Sequence, residues 1–541
     1  MTAGETQATG HRPGRVLLDR VSGLARLEPR QADRLALAVL AAMMAAFFVV
    51  IFTLALLRYL NFRDSGVDTA IFDQVVWLFS RFRAPYSTIR GMTIFGDHMN
   101  PVLALLAPVY WLRAGVPGLL GVQTAVLASG AVPLYLVAKS RLSGRVIPLV
   151  VAGAYLLYPA LQHVGLFDFH PEALAVGFLL FAFLAIERGR TGWFYLMCAL
   201  AVLCKEDMAL AVLLMGLLAF LRYDRRAGKV VMIASGAWFL LAVLLFIPLF
   251  GPEGFQYTGR LSAFGDSPLE VVRNLLFNPG RVLGVLATRA NLRYLFDLLV
   301  PTAFMGLLAP LMLLPALPAV AVNLVSDFPG QQTIFYQYTV AIIPFVFMAV
   351  VVGLDRLRQW LEGAKRARAV MAAAGGLLVL SALAGSFYLG PGPLGETWNM
   401  AKYRGDAHIE VIREGVDLVP PGASVSSQVY LLPHLSERQE IYMFPNPFID
   451  LVDDRYYRSL DPGERRFMWP GGVYRRREPG YDPLSHPVPE VDYVALARGV
   501  SPWPLEEEQY LKMVDRLLEE GSFDPVYDRE GVLILRRKGL N

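Results

Sequence analysis

Residues 35–57 run LALAVLAAMMAAFFVVIFTLALL without one charged side chain. About 20 apolar residues suffice for a helix to cross the hydrocarbon core of a bilayer, so a run of this length is hard to accommodate in a soluble core. Further apolar runs follow it, separated by short basic loops. Mean hydropathy is +0.44 and 55% of the residues are hydrophobic, too apolar for an ordinary soluble fold. The expected class is a polytopic α-helical membrane protein. No basic tract interleaved with aromatics is present, which argues against a nucleic-acid partner. Cys198 and Cys204 share one apolar segment and give neither a disulfide framework nor a cysteine metal site.

Orientation follows from the positive charges. Arg12, Arg15, Arg20, Arg26, Arg30 and Arg34 precede the first span, 35–60, so residues 1–34 read as a cytoplasmic tail rather than a cleaved signal. Four later basic loops, at Lys139–Arg145, Arg188–Arg190, Arg222–Lys229 and Arg356–Arg368, lie on the same side if the spans between them come in pairs. This works for 146–161 with 172–187, for 192–204 with 208–221, and for 370–389 leading out. The short apolar stretch 101–112 would break the parity, so it is expected to be re-entrant or interfacial, with 116–138 as the second span. Pro301, Pro310, Pro315 and Pro318 interrupt the next region, where parity favours short spans at 294–309 and 310–325, then one at 339–354. About eleven spans result, within a transmembrane domain over 35–389, and the C-terminus lies outside.

With that orientation the polar outer segments are 61–101, 166–172, 204–207, 251–293 and 326–338. The first is unusually rich in carboxylates, and charge beside hydrocarbon is costly enough to need a reason. Val67, Ile71, Val75 and Leu78 form a helical stripe, predicting a helix over 67–79 lying along the membrane surface. Asp68 stands at its start, where it or Asp64 could equally be a cap worth about 1 kcal/mol. Asp73 is rotated well away from Asp68, so at least one of the two is expected to be structural. Asp97 and His98 could shuttle protons or cap a loop. Asp168, His170 and Glu172 alternate, and an extended segment would aim all three one way, toward a metal or polyol hydroxyls. Lys205, Glu206 and Asp207 crowd one turn, where the lysine suits a lipid phosphate, as do Arg260 and Arg293 in the long outer loop. A divalent cation, were one held, would draw on Asp97, His98, Asp168 and His170. Tyr336 and Tyr338 read as interfacial aromatics.

Residues 390–541 change composition and carry no further span. HIEVIREGVDLV has helical spacing, PPGASVSS turns into a short strand, and EIYMF and VDYVALA read as buried strands. EEEQYLKMVDRLLEEG is an amphipathic helix stopped by Gly521, and PVYDREGVLILRR is a hairpin. The expectation is a soluble extracytoplasmic α/β domain without a phosphate loop or a nucleophile elbow.

GVDTAIFDQVVW, GDHMNPVLALLAPVYWL, FDFHPEALAV, CKEDMAL and VPPGASVSSQVYLLPHLSERQEIYMFP resemble a family of bacterial membrane proteins with a domain of unknown function, grouped with the GT-C glycosyltransferases. The resemblance runs from about residue 40 to 500. It implies a GT-C-like fold in the bacterial inner membrane and a polyprenyl-phosphate-linked sugar as donor, with a glycan, lipid or protein as acceptor. It also implies a base in the first outer loop, which Asp68 matches by position. The second acidic residue common beside that base is missing here, since Thr69 follows Asp68. Asp73, Asp97, His98, Asp168, His170, Glu172, Lys205, Glu206, Asp207, Arg260 and Arg293 are then the expected substrate-binding set. Two other classes compete: a transporter or flippase of a lipid-linked or envelope glycan precursor, and a scaffold whose outer domain binds a partner.

Overall fold

The computed structural model describes residues 28–142, 144–251, 277–448 and 490–540, with 260, 261, 264, 265, 270, 273 and 274. The expected tail 1–34 falls almost wholly outside the described residues.

Helix α1, Pro29–Leu60, opens on Pro29 at its first position and on a reciprocal capping box between Glu28 and Gln31. At 1.5 Å per residue it is roughly 48 Å long, more than a bilayer core requires. Only a narrow stripe of it is buried, through Leu40, Phe47, Ile51 and Leu54, while its other faces are apolar and exposed. A helix apolar all round and buried on one stripe is built for lipid contact. Among the described residues four helices are long and apolar enough to cross: Pro29–Leu60, Gly115–Arg141, Arg225–Phe250 and Ala367–Leu389. The pair Val146–Leu156 and Pro159–Leu166, bent by 45°, adds a fifth if it is one span. The helices at 173–187, 191–202 and 208–222 are shorter, so a count near eleven depends on how these and the broken region after residue 289 are assigned.

Residues 101–111 form a 3₁₀ segment and one turn of α-helix, shorter than a bilayer core requires. Residues 289–325 differ from expectation. In place of two continuous spans there are a helix at Arg289–Leu299, three 3₁₀ segments between Val300 and Ala316, and a helix at Leu317–Val325. Prolines without N–H groups forbid a continuous helix here, and such broken backbone is tolerated at membrane depth where protein surrounds it. The helix Ile343–Trp360 is buried without interruption from Ile343 to Asp355 and forms the bundle's centre, with Tyr155 and Tyr158 set edge-on against Phe347.

One end of the bundle is tied by ions. Asp33 accepts from Lys139 at 2.8 Å and Arg145 at 2.6 Å, and Arg141 bridges Glu187 and Asp355. Tyr223 also reaches Glu187. Segments expected to share one side therefore do share one end.

At the other end, helix α2 spans Val67–Ser80 and is followed by a short antiparallel hairpin of β1 (Tyr86–Ser87) and β2 (Met92–Thr93). Most residues of the helix are buried, its polar face included, rather than only the apolar stripe. The C-terminal region covers it. That region holds a sheet of strands β3 (Val425–Ser427), β4 (Ile441–Met443), β5 (Tyr493–Ala497), β6 (Phe523–Arg529) and β7 (Val532–Arg537), in the order β4-β3-β5-β7-β6. Strands β3, β4 and β5 are parallel, and β7 is antiparallel to both β5 and β6. Alternation sorts its two faces. Val494, Leu496 and Leu535 pack under the helix Glu507–Glu519, whereas Ala495, Ala497 and Ile534 join the main core with the helix Ala407–Val416.

Candidate functional site

Gly66 begins the construction of the site. Its φ is +83°, and a Cβ there would sit 2.2 Å from the carbonyl oxygen of Val429, so only glycine lets α2 start this close to the C-terminal region. Along α2, Gln74 donates to Thr88 Oγ1 at 2.9 Å and to the Gln439 carbonyl at 3.1 Å. Asp73 accepts from Ser436 Oγ at 2.7 Å and from the Tyr110 hydroxyl. Burial, with Glu437 nearby, raises the Asp73 carboxyl to about 7. Asp73 thus fastens α2 to its cover.

The opposite side of α2 opens on a cavity of about 440 Å³. Every polar segment singled out in the sequence contributes to it. Asp68, Asp97 and His98 come from 61–101, His170 and Glu172 from 166–172, and Lys205, Glu206 and Asp207 from 204–207. Arg260 enters from the long loop, and Gln331, Gln337 and Tyr338 from 326–338. Most of the remaining wall is apolar, through Met208, Leu210, Phe239, Val243, Pro318 and Val322, with Arg90, Asn323 and Ser326 also lining it. Val243 lies in a π-helical turn, Ala242–Phe246, within the span 225–250.

Acids and bases in the cavity are matched. His170 Nε2 lies 3.3 Å from Asp68 Oδ2, while its Nδ1 meets the Asp168 carbonyl at 3.0 Å. Burial alone would lower His170, but Asp68 and Glu172 outweigh it and hold the imidazolium up at about 9. The same pairing offsets the desolvation Asp68 meets in the cavity and keeps its carboxyl below the usual range. Arg90 grips Asp97 with two bonds, 2.9 and 3.0 Å. His98 Nδ1 stands 2.9 Å from Glu206, whose other oxygen accepts from the Met99 amide at 3.0 Å. Lys205 is 3.4 Å from Glu172. Desolvation within the cavity, reinforced by Glu206 and Glu172 against the pull of Lys205, lifts the Asp207 carboxyl to about 6. Asp68 is not a helix cap: Gly66 holds that position, and the Asp68 side chain is 42% exposed, into the cavity.

Three expected residues are elsewhere. Asp73 faces the cover. Asp168 turns to Ser65, accepting from its amide at 3.1 Å and from its hydroxyl, so the alternation from 168 to 172 delivers only two of three side chains. Arg293 pairs along its own helix with Asp297 at 2.8 Å. Asp97, His98, Asp168 and His170 therefore do not converge, and among the described residues no group of three His, Cys, Asp or Glu side chains could hold a metal ion. Arg90 and Tyr338 were not expected in the site. Tyr338 is one of two rings under Arg260, at 5.7 Å, the other being Phe328 at 5.0 Å. The basic residue seven before Asp97, across a turn, was the available signal for Arg90.

Comparison with solved structures finds ArnT from Cupriavidus metallidurans bound to undecaprenyl phosphate, at 13% identity and TM-score 0.48, covering 94% of this chain and 98% of that one. ArnT in its apo state is similar at 14% identity and TM-score 0.47, covering 93% and 98%. No curated protein sequence matches. A family model described as "Predicted membrane protein (DUF2079)" matches residues 58–534. The chain belongs to that DUF2079 family of predicted membrane proteins.

Proposed function

We propose that this protein is a membrane glycosyltransferase that moves a sugar from a polyprenyl-phosphate donor to an acceptor on the extracytoplasmic face of the bacterial inner membrane. The observation that carries the reading is the pairing of Asp68 with His170 inside a cavity lined by both charged and apolar side chains. An ionised carboxylate at neutral pH is what a general base requires, and the imidazolium beside it keeps it so. The apolar wall suits the first units of a polyprenyl tail, and Arg260 and Lys205 suit the phosphate. Asp97, His98, Glu172, Glu206 and Asp207 offer acceptors and a donor to sugar hydroxyls.

The acceptor hydroxyl gives its proton to Asp68 as its oxygen bonds to the anomeric carbon. The bond from that carbon to the phosphate oxygen breaks with its electron pair leaving on the phosphate, and configuration inverts. Arg260 and Lys205 counter the charge that builds there. Residues 390–541 serve in this reading as a cover that holds α2 rather than as a second catalytic unit.

A transporter would use the same cavity without breaking a bond. The purified chain in detergent separates the two, because micelles have no second compartment. Lipid-linked sugars extracted from a strain lacking the gene are added with envelope acceptor, and products are followed by mass spectrometry. Loss of one polyprenyl-phosphate sugar with gain of its mass on the acceptor supports transfer; an unchanged lipid pool with binding alone favours transport.

A further inference from the structure

A second cavity, of about 390 Å³, lies on the far side of Phe167 from the first. Arg58, Arg63, Lys402, His163, Phe167 and Tyr403 line it, with Phe335 and Pro391 at its edge. None of its lining residues is acidic, whereas the first cavity matches its bases with carboxylates. We infer that this pocket binds the phosphate, or an equally compact anionic group, of a ligand seated at the membrane boundary.

The arginines are positioned but not neutralised. Arg58 donates to the Leu166 carbonyl and, at 3.4 Å, to that of Arg63, while Arg63 donates to the Ala401 carbonyl at 2.9 Å. Carbonyls orient a guanidinium without cancelling its charge. Among the described residues the carboxylate paired with Arg63 is Asp406, at 3.4 Å, where the two side chains are 35% and 59% exposed and solvent screens the pair. Asp64 and Asp168 are also felt by Arg58, but both are buried, and burial favours their neutral forms. Lys402 has no side-chain partner among the described residues. Three cations drawn together with so little compensation repel one another unless an anion joins them.

Location narrows the ligand. Arg58 is in the last turn of α1, and Pro391 lies just past Gly390, the C-cap of the helix Ala367–Leu389, so the pocket lies where two long apolar helices end. Phe335, 47% exposed, gives the rim an apolar face. Phe167 stacks on His170 with ring centres 5.3 Å apart, which puts an occupant one ring away from the pair with Asp68. That such an occupant is the acceptor rests on the transferase reading; the binding does not.

The test is native mass spectrometry of the full chain, delipidated and titrated with phosphatidic acid, phosphatidylcholine or glycerol 3-phosphate. Phosphatidic acid is expected to bind about tenfold more tightly than phosphatidylcholine, the scale of one or two charge-assisted hydrogen bonds. Arg63→Gln with Lys402→Gln should erase that preference, and Lys205→Gln in the first cavity should leave it. Competition by glycerol 3-phosphate would show that the soluble phosphate suffices; its absence would assign the site to a lipid. Equal binding of the two lipids, or a preference untouched by the double variant, would overturn the inference whether or not the chain transfers sugar.

Discussion

The Nε2 atom of His170 lies 3.3 Å from Oδ2 of Asp68, joining two polar segments that the chain separates by several helices. The pair has a definite pH signature. The folded pKa of His170 is raised from 6.5 to about 9, so its contribution to stability is complete below pH 6.5 and lost as pH climbs through 9. Asp68 is depressed below 3.8, so its share is present above that value and lost as pH falls through the lower one. The difference in Tm between wild type and His170→Gln should therefore shrink between pH 6.5 and 9. In the same variant the acid limb of the kcat/KM profile should move to higher pH, since nothing then holds the base down. A limb that stays in place would make His170 a packing residue only.

Asp73 should behave oppositely to Asp68. Its carboxyl is raised to about 7, so it favours folding below pH 3.8 and loses that contribution as pH rises through 7. Asp73→Asn is expected to keep transfer within about twofold, the range of a change that leaves the reacting groups alone. Its Tm at pH 8 should equal or exceed that of wild type. Thermal unfolding at pH 5 and pH 8, with a transfer assay, checks both halves.

Gly66→Ala tests the seam between α2 and its cover. A left-handed conformation costs a residue with a Cβ about 1–2 kcal/mol, and the Val429 carbonyl must also move. The variant should unfold at lower temperature, become protease-sensitive beyond residue 395 and lose activity. Removing 395–541 should abolish transfer for the same reason, because Asp73 and Gln74 lose partners. Full activity of the truncated chain would show that α2 needs no cover.

Arg90→Met leaves Asp97 buried beside the cavity without its two-bond partner. Breaking a buried pair from one side costs about 3–5 kcal/mol, and neutralising the survivor recovers part of it. Arg90→Met should thus lower Tm sharply, and Arg90→Met with Asp97→Asn should restore some of the loss. Additive losses would mean that the two residues act independently.

Much of this was legible in the sequence, for reasons that can be named. Charge parity brought 61–101, 166–172, 204–207 and 326–338 to one end, and the cavity draws on all of them. The buried strand read in VDYVALA and the charged helix stopped by Gly521 appear as β5 and the helix Glu507–Glu519. Alternation misled at Asp168, because Ser65 from another segment takes that side chain. Arg90 escaped notice because it sits in the turn between β1 (Tyr86–Ser87) and β2 (Met92–Thr93) while Asp97 ends the short helix after β2, where neither helical nor strand spacing applies. The cover over α2 left no trace either. Contacts such as Ser436 with Asp73 join distant segments and impose no period on either.

The most direct test of the central claim is lipid and glycan mass spectrometry on three strains: a deletion, the deletion with wild type restored, and the deletion with Asp68→Asn. A lost general base costs about 10²–10⁴-fold in rate. The account predicts that one polyprenyl-phosphate sugar accumulates and one envelope glycan loses that sugar's mass in both the deletion and the Asp68→Asn strain, with the variant present at wild-type level. A wild-type profile restored in full by Asp68→Asn would contradict it.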